Sequence, residues 1–152
     1  MAFGVSQAQI RTIVQQVTDD IKNQTDKLAG EKPGESSVGP VNWQSGTGTS
    51  GEPGQDLVSI GVAGNLKKLH SLIVNIGALT ATASITIKLF ALVNASWTKL
   101  YNESFVVGTD PSGVWAVNGT LEISGVLRVE CQSNNAGDNG GFISYKYDLE
   151  DM

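Results

Sequence analysis

The run Leu121-Glu-Ile-Ser-Gly-Val-Leu-Arg-Val-Glu-Cys131 decides the fold class. Its odd positions, Leu121, Ile123, Leu127, Val129 and Cys131, are apolar apart from Gly125, whereas Glu122, Ser124, Arg128 and Glu130 hold even positions. Ile143, Tyr145, Tyr147 and Leu149 alternate in the same way with Ser144, Lys146 and Asp148. Side chains of a strand point to opposite faces in turn, so this period buries one face and wets the other, as antiparallel sheets do.

Outward from that run, Gly, Asn and Asp turns separate further strand-like segments. They cover Leu57 to Val62, Lys68 to Ile76, Ser84 to Val93, Trp97 to Val107 and Val114 to Val117. Asp110-Pro111-Ser112-Gly113 suits a type I turn and Asn118-Gly119 a two-residue hairpin. In Ser84–Val93 the odd face is apolar throughout, and the even face turns apolar at Phe90 and Leu92. A strand apolar on both sides is covered on both, so Phe90 and Leu92 are expected to meet a second subunit. Seven or eight antiparallel strands in so short a segment imply two packed sheets. A mainly β, jelly-roll-type sandwich over 56–152 is the leading expectation, and an immunoglobulin-like sandwich the alternative, although its Cys–Trp–Cys spacing is absent.

Two other segments precede the sandwich. Ser6-Gln7-Ala8-Gln9 fits a capping box, with Val5 and Ile10 at the staple positions, and starts a helix over 1–29 that Gly30 would stop. Ile10, Val14, Val17, Ile21 and Leu28 recur at heptad spacing, Val14, Ile21 and Leu28 at a, Ile10 and Val17 at d, with Gln24 in the remaining d position. The stripe is narrower than that of a helix docked on its own domain. β-branched residues at a and d favour three or more helices over two, so a homotrimeric coiled coil is expected. Packing of the helix on its own sheet is the competing arrangement. Residues 30–55, rich in Gly, Pro, Ser and Thr, read as an extended arm; only Val38, Val41 and Trp43 offer anchors. Val41 and Trp43 are expected to be buried against a neighbouring subunit.

Composition narrows the function. The 152-residue chain carries a net charge of −5, and only 16% of its residues are charged. Nucleic-acid binding needs clustered Lys and Arg, and Lys67-Lys68 is the single basic pair. No segment approaches the roughly 18 apolar residues of a membrane span, and no signal-peptide pattern opens the chain. One cysteine, Cys131, excludes an internal disulfide; on an apolar strand face it reads as a small buried hydrophobe.

The lone His70 lies in a strand-like run, where an ordinary structural histidine is the simpler reading than a triad member. One Cys and one His fall short of a zinc site. Asp138 with Asn134, Asn135 and Asn139 offers oxygens to calcium but suits a turn better. Gly46-Thr-Gly48-Thr-Ser-Gly51 matches a dinucleotide fingerprint without the strand and helix that the chemistry requires. Sequons at Asn23, Asn94, Asn102 and Asn118 lack a secretion signal and read as chance. No cofactor, metal or catalytic residue is therefore expected.

Gly108-Thr-Asp-Pro-Ser-Gly-Val-Trp-Ala-Val-Asn-Gly-Thr-Leu121, with Leu127-Arg-Val-Glu130 and Ser133-Asn-Asn-Ala-Gly-Asp138, resembles a module of accessory structural proteins in tailed phages and prophages. The resemblance implies a virion protein that decorates the capsid or forms a short head fibre, with itself and the major capsid protein as partners. It implies no catalytic residue. The alternative is a lectin-like module for host attachment, in which Trp97, Trp115, Tyr101 or Tyr147 stacks on a host-surface glycan.

Overall fold

The computed structural model describes residues 4, 6–28, 32–39 and 41–152, leaving the side chains of 22–28, 32–33 and 35 aside. One helix, α1 (Gln7–Leu28), precedes eight strands: β1 (Lys32–Val38), β2 (Gln55–Ile60), β3 (Lys67–Asn75), β4 (Ser84–Val93), β5 (Ser96–Val106), β6 (Gly113–Ile123), β7 (Leu127–Ser133) and β8 (Ile143–Asp151). The Val5 staple and the Gly30 stop lie outside the described residues.

The strands pair like a folded ribbon. β4 and β5 form its tip, and β3 with β6, β2 with β7 and β1 with β8 follow outward, all antiparallel. Curling of the ribbon lays β8 against β3 and β7 against β4. Two four-stranded sheets result, in the orders β1-β8-β3-β6 and β2-β7-β4-β5. Leu69, Leu72, Val74 and Ile143 of the first sheet meet Ile60, Ile85, Ile87, Val129 and Cys131 of the second in one core. The alternating pattern thus closes a β-sandwich, stabilised by the apolar area it removes from water.

Lys67 pairs with Ile123 and Asp151, and Leu127 with Ile60 and Ala91. These pairs mark one end of the sandwich, here the proximal end. β1 enters there, with Lys32 opposite Leu149.

Several elements depart from the sequence-based expectations. The run Leu121–Cys131 is two strands in two sheets, divided by the bend at Ser124-Gly125. Its parity survives the crossing because Leu121 and Ile123 of β6 and Leu127, Val129 and Cys131 of β7 all face the shared core. Asn118-Gly119 makes no hairpin: β6 continues through it, and the register with β3 shifts between Leu69 and Ser71. Gly119 takes φ 129, a conformation that suits glycine at such a β-bulge. The turn expected at Asp110–Gly113 falls at 107–110 instead, where the Asp110 carboxylate accepts the Val106 amide at 2.6 Å.

The arm is the largest difference. Residues 32–38 form an edge strand, and 41–55 fold onto the same chain's sandwich. Trp43 is fully buried in the core and donates from Nε1 to the Gly141 carbonyl at 2.8 Å, while Val41 packs beside it. The surface that these two anchors cover is therefore their own domain's. Composition concealed this, because one large aromatic side chain outweighs many glycines in apolar area.

Candidate assembly site

At the start of α1 the Ser6 amide donates to Gln9 Oε1 at 2.8 Å and the Gln9 amide to Ser6 Oγ at 3.1 Å, so the capping box forms in full. Thr12 and Thr18 bond back to the Ala8 and Val14 carbonyls, which satisfies their hydroxyls without any partner element. The seam stays open. Ile10, Val14, Val17 and Ile21 are 49%, 58%, 50% and 59% exposed, with Ile13 beside them at 56%. No described residue of α1 belongs to the sandwich core. Leu28 closes the helix, and its side chain lies outside the described residues.

The two strand positions expected at an interface separate. Leu92 is exposed, but Phe90 is buried by its own chain. Lys99 Nζ lies 5.8 Å from the centre of the Phe90 ring, and Phe90 pairs across the strands with Lys99 and Arg128. The cover is a polar strap, residues 44–54, laid over the outer face of the second sheet. Glu52 bridges Lys88 at 3.3 Å and Lys99 at 2.6 Å, and Lys88 Nζ also donates to the Pro53 carbonyl at 2.8 Å. The Ser50 amide and hydroxyl donate to the fully buried Glu130 carboxylate at 2.8 and 2.7 Å. Gly48 makes this approach possible: a Cβ there would stand 2.3 Å from Glu130 Cδ. Gly48 thus serves close packing of backbone on carboxylate.

Asp56 joins the same layer, accepting from Thr49 and pairing with Arg128 Nη1 at 2.9 Å. Burial pushes the Asp56 carboxyl up, but Thr49's hydrogen bonds and the Arg128 charge hold it below its ordinary value. The hydrogen bond from Lys99 likewise holds Glu52 down against partial desolvation. Among the described residues Arg128 Nε finds no hydrogen-bond partner; its guanidinium lies 5.1 Å from the Trp97 ring centre instead.

The residues weighed for other chemistry find structural or surface roles. Asp138 is buried and accepts from the Thr80 amide and hydroxyl at 2.6 Å and from Ser133 Oγ. Asn134 and Asn139 accept from the amides of Ser84 and Gln44 and, with Asp138, tie the 133–141 loop to the rest of the chain, while Asn135 accepts from Gly137 within the loop. His70 sits on the outer face of the first sheet with Nδ1 3.1 Å from Thr120 Oγ1 and Nε2 2.9 Å from Glu150 Oε2. The hydroxyl–imidazole–carboxylate order is that of a hydrolytic array. Its His and Glu side chains are each about a third open to water (32% and 34%), so the three groups lie on an open sheet face. Among the aromatics, Tyr147 stacks on Tyr145 at the core margin, Tyr101 packs on the core, and Trp115 is exposed.

Of one further surface, sequence reasoning named only Leu92. Val62, Leu66, Leu92, Val93, Leu100 and Met152 are all exposed on the proximal half of the sandwich. Around Leu92 and Leu100 lies a groove of about 320 Å³ that reaches Gly64 and Val126. Val62, Leu66 and Met152 lie beyond the strand ends and β5 alternates weakly around Leu100, so only the folded chain brings these together with Leu92. Comparison of the chain with protein-family models, curated proteins and solved structures finds no match.

Proposed function

We propose that this chain is a homotrimeric structural protein of a virion. It decorates the capsid or forms a short fibre through contacts with itself and with the major capsid protein, and it works without catalysis. One observation carries the reading: the heptad seam of α1 is uncovered by its own sandwich. An apolar stripe left in water on a free helix marks a protein–protein surface. β-branched residues at a and d favour three or more helices over two. The eight strands, nested as a ribbon and curled into two sheets, support the jelly-roll form of the sandwich. The resemblance of the Gly108–Leu121 run to phage accessory proteins supplies the virion setting.

Sedimentation equilibrium of the full chain at micromolar concentration tests this. The expected mass is three times the 16.0 kDa chain, and a monomer sinks the reading. Electron microscopy of particles carrying the chain separates decoration from fibre.

A second reading, glycan attachment, has a specific observation in its favour. Trp115 is 51% exposed beside its cross-strand neighbour Ile73, next to a hollow of about 130 Å³ lined by Asn75, Ser144 and Lys146. An open aromatic face with amide, hydroxyl and ammonium groups at its rim suits a sugar ring. Binding on a glycan array that Trp115→Ala abolishes supports it; silence across the array removes it.

A further inference from the structure

We infer that the proximal end of the sandwich is a second self-association surface, occupied by the same end of a neighbouring copy. The inference rests on the trimer reading and names the contact that completes it. Leu28 ends α1 and Lys32 begins β1, so four peptide steps join them and span at most about 14 Å. β1 enters at the proximal end, and the root of the helix is therefore tethered there. Any parallel bundle of α1 gathers this end of each sandwich around the bundle's base.

That end has an apolar surface to offer. Of the eight large hydrophobic side chains exposed outside α1 among the described residues, six lie on the proximal half: Val62, Leu66, Leu92, Val93, Leu100 and Met152. Trp115 and Phe142 lie elsewhere. Soluble monomers scatter such residues, and a cluster of them marks an interface. The groove beside Leu92 and Leu100 adds a concave element between the edge strands β5 and β6.

The choice of a second copy over a foreign partner follows from two needs that meet in one place. Three heptads make a bundle that is marginal in water, so trimeric α1 requires further buried apolar area. Six exposed large hydrophobic side chains of the sandwich stand at the end to which that bundle is tethered. A foreign protein on the same surface would compete with the geometry that α1 itself imposes.

Paired cysteine variants of the full chain test this, because the native Cys131 is buried. Val62→Cys and Val93→Cys at the proximal end, with Thr109→Cys at the distal end, are treated with a short bis-maleimide. Copy-to-copy crosslinks are expected at Val62→Cys and Val93→Cys and not at Thr109→Cys. The double variant Leu92→Asp/Leu100→Asp is expected to raise the trimer's dissociation constant by about tenfold or more in sedimentation. A trimer that fails to crosslink at both proximal positions, or whose dissociation Leu92→Asp/Leu100→Asp leaves unchanged, overturns the inference while the trimer stands. An unmodified chain that remains monomeric overturns both.

Discussion

Trp43 shows how one residue reassigns a whole segment. Its indole enters the core between the sheets and its Nε1 closes onto Gly141. Trp43→Ala should cost about 3–5 kcal/mol of stability in urea denaturation, since a large cavity opens in a packed interior. Trp43→Phe should cost roughly 1 kcal/mol for the lost hydrogen bond, plus a smaller packing loss. A similar cost for both would sink the cavity argument. Cys131 tests the interior from another side. Burial, with the Glu130 charge adding to it, pushes its thiol up to about 12. The raised value places the thiol's contribution below pH 9.0, the ordinary value, and removes it progressively as pH climbs toward 12. Native protein at pH 8 should leave Ellman's reagent unreacted until denaturant is added. Strand parity made Cys131 legible in the sequence. The same parity put Glu130 on a wet face, because the strap that buries it lies some 80 residues away in the chain.

At the scale of elements, period-two alternation located most of the strands, and Ser84–Val93 coincides with β4. Local turn chemistry was the weaker guide. Asn118-Gly119 has the composition of a hairpin, but the partner of β6 is β3, so the dipeptide absorbs an extra residue as a bulge. Gly119→Ala should destabilise the fold by about 1–3 kcal/mol through the positive φ alone, measured as a shift of the urea midpoint. The strap carries a pH dependence. Glu52 and Asp56 are held below their ordinary values of 4.5 and 3.8 in the folded chain. Their contribution is therefore complete above those values and is lost as pH falls through the depressed ones. Thermal melting followed from pH 6 to pH 2 should show stability falling below about pH 4. Glu52→Gln should flatten part of that slope, and an unchanged slope would assign the acid sensitivity elsewhere.

At the scale of the molecule, the heptad spacing places Ile10, Val14, Val17 and Ile21 on one stripe, and the folded chain leaves that stripe in water. Val14→Asp/Ile21→Asp should yield monomers in sedimentation while the sandwich keeps its cooperative melt, because no core contact is touched. Loss of the sandwich melt in that variant would mean that the helix supports its own domain. Of the proximal surface the sequence showed only Leu92, near the end of β4; β5 alternates weakly around Leu100, and Val62, Leu66 and Met152 lie beyond the strand ends, so only the fold brings them to one end.

The nested order of the strands also fixes a sequence of events during synthesis. β4 and β5 can zip as neighbours, but β1 waits for β8, since Lys32 pairs with Leu149. Closing so wide a loop is slow by comparison with a hairpin. Synthesis therefore releases α1 before β8, the clasp for β1, so the helix can form before its own domain is sealed.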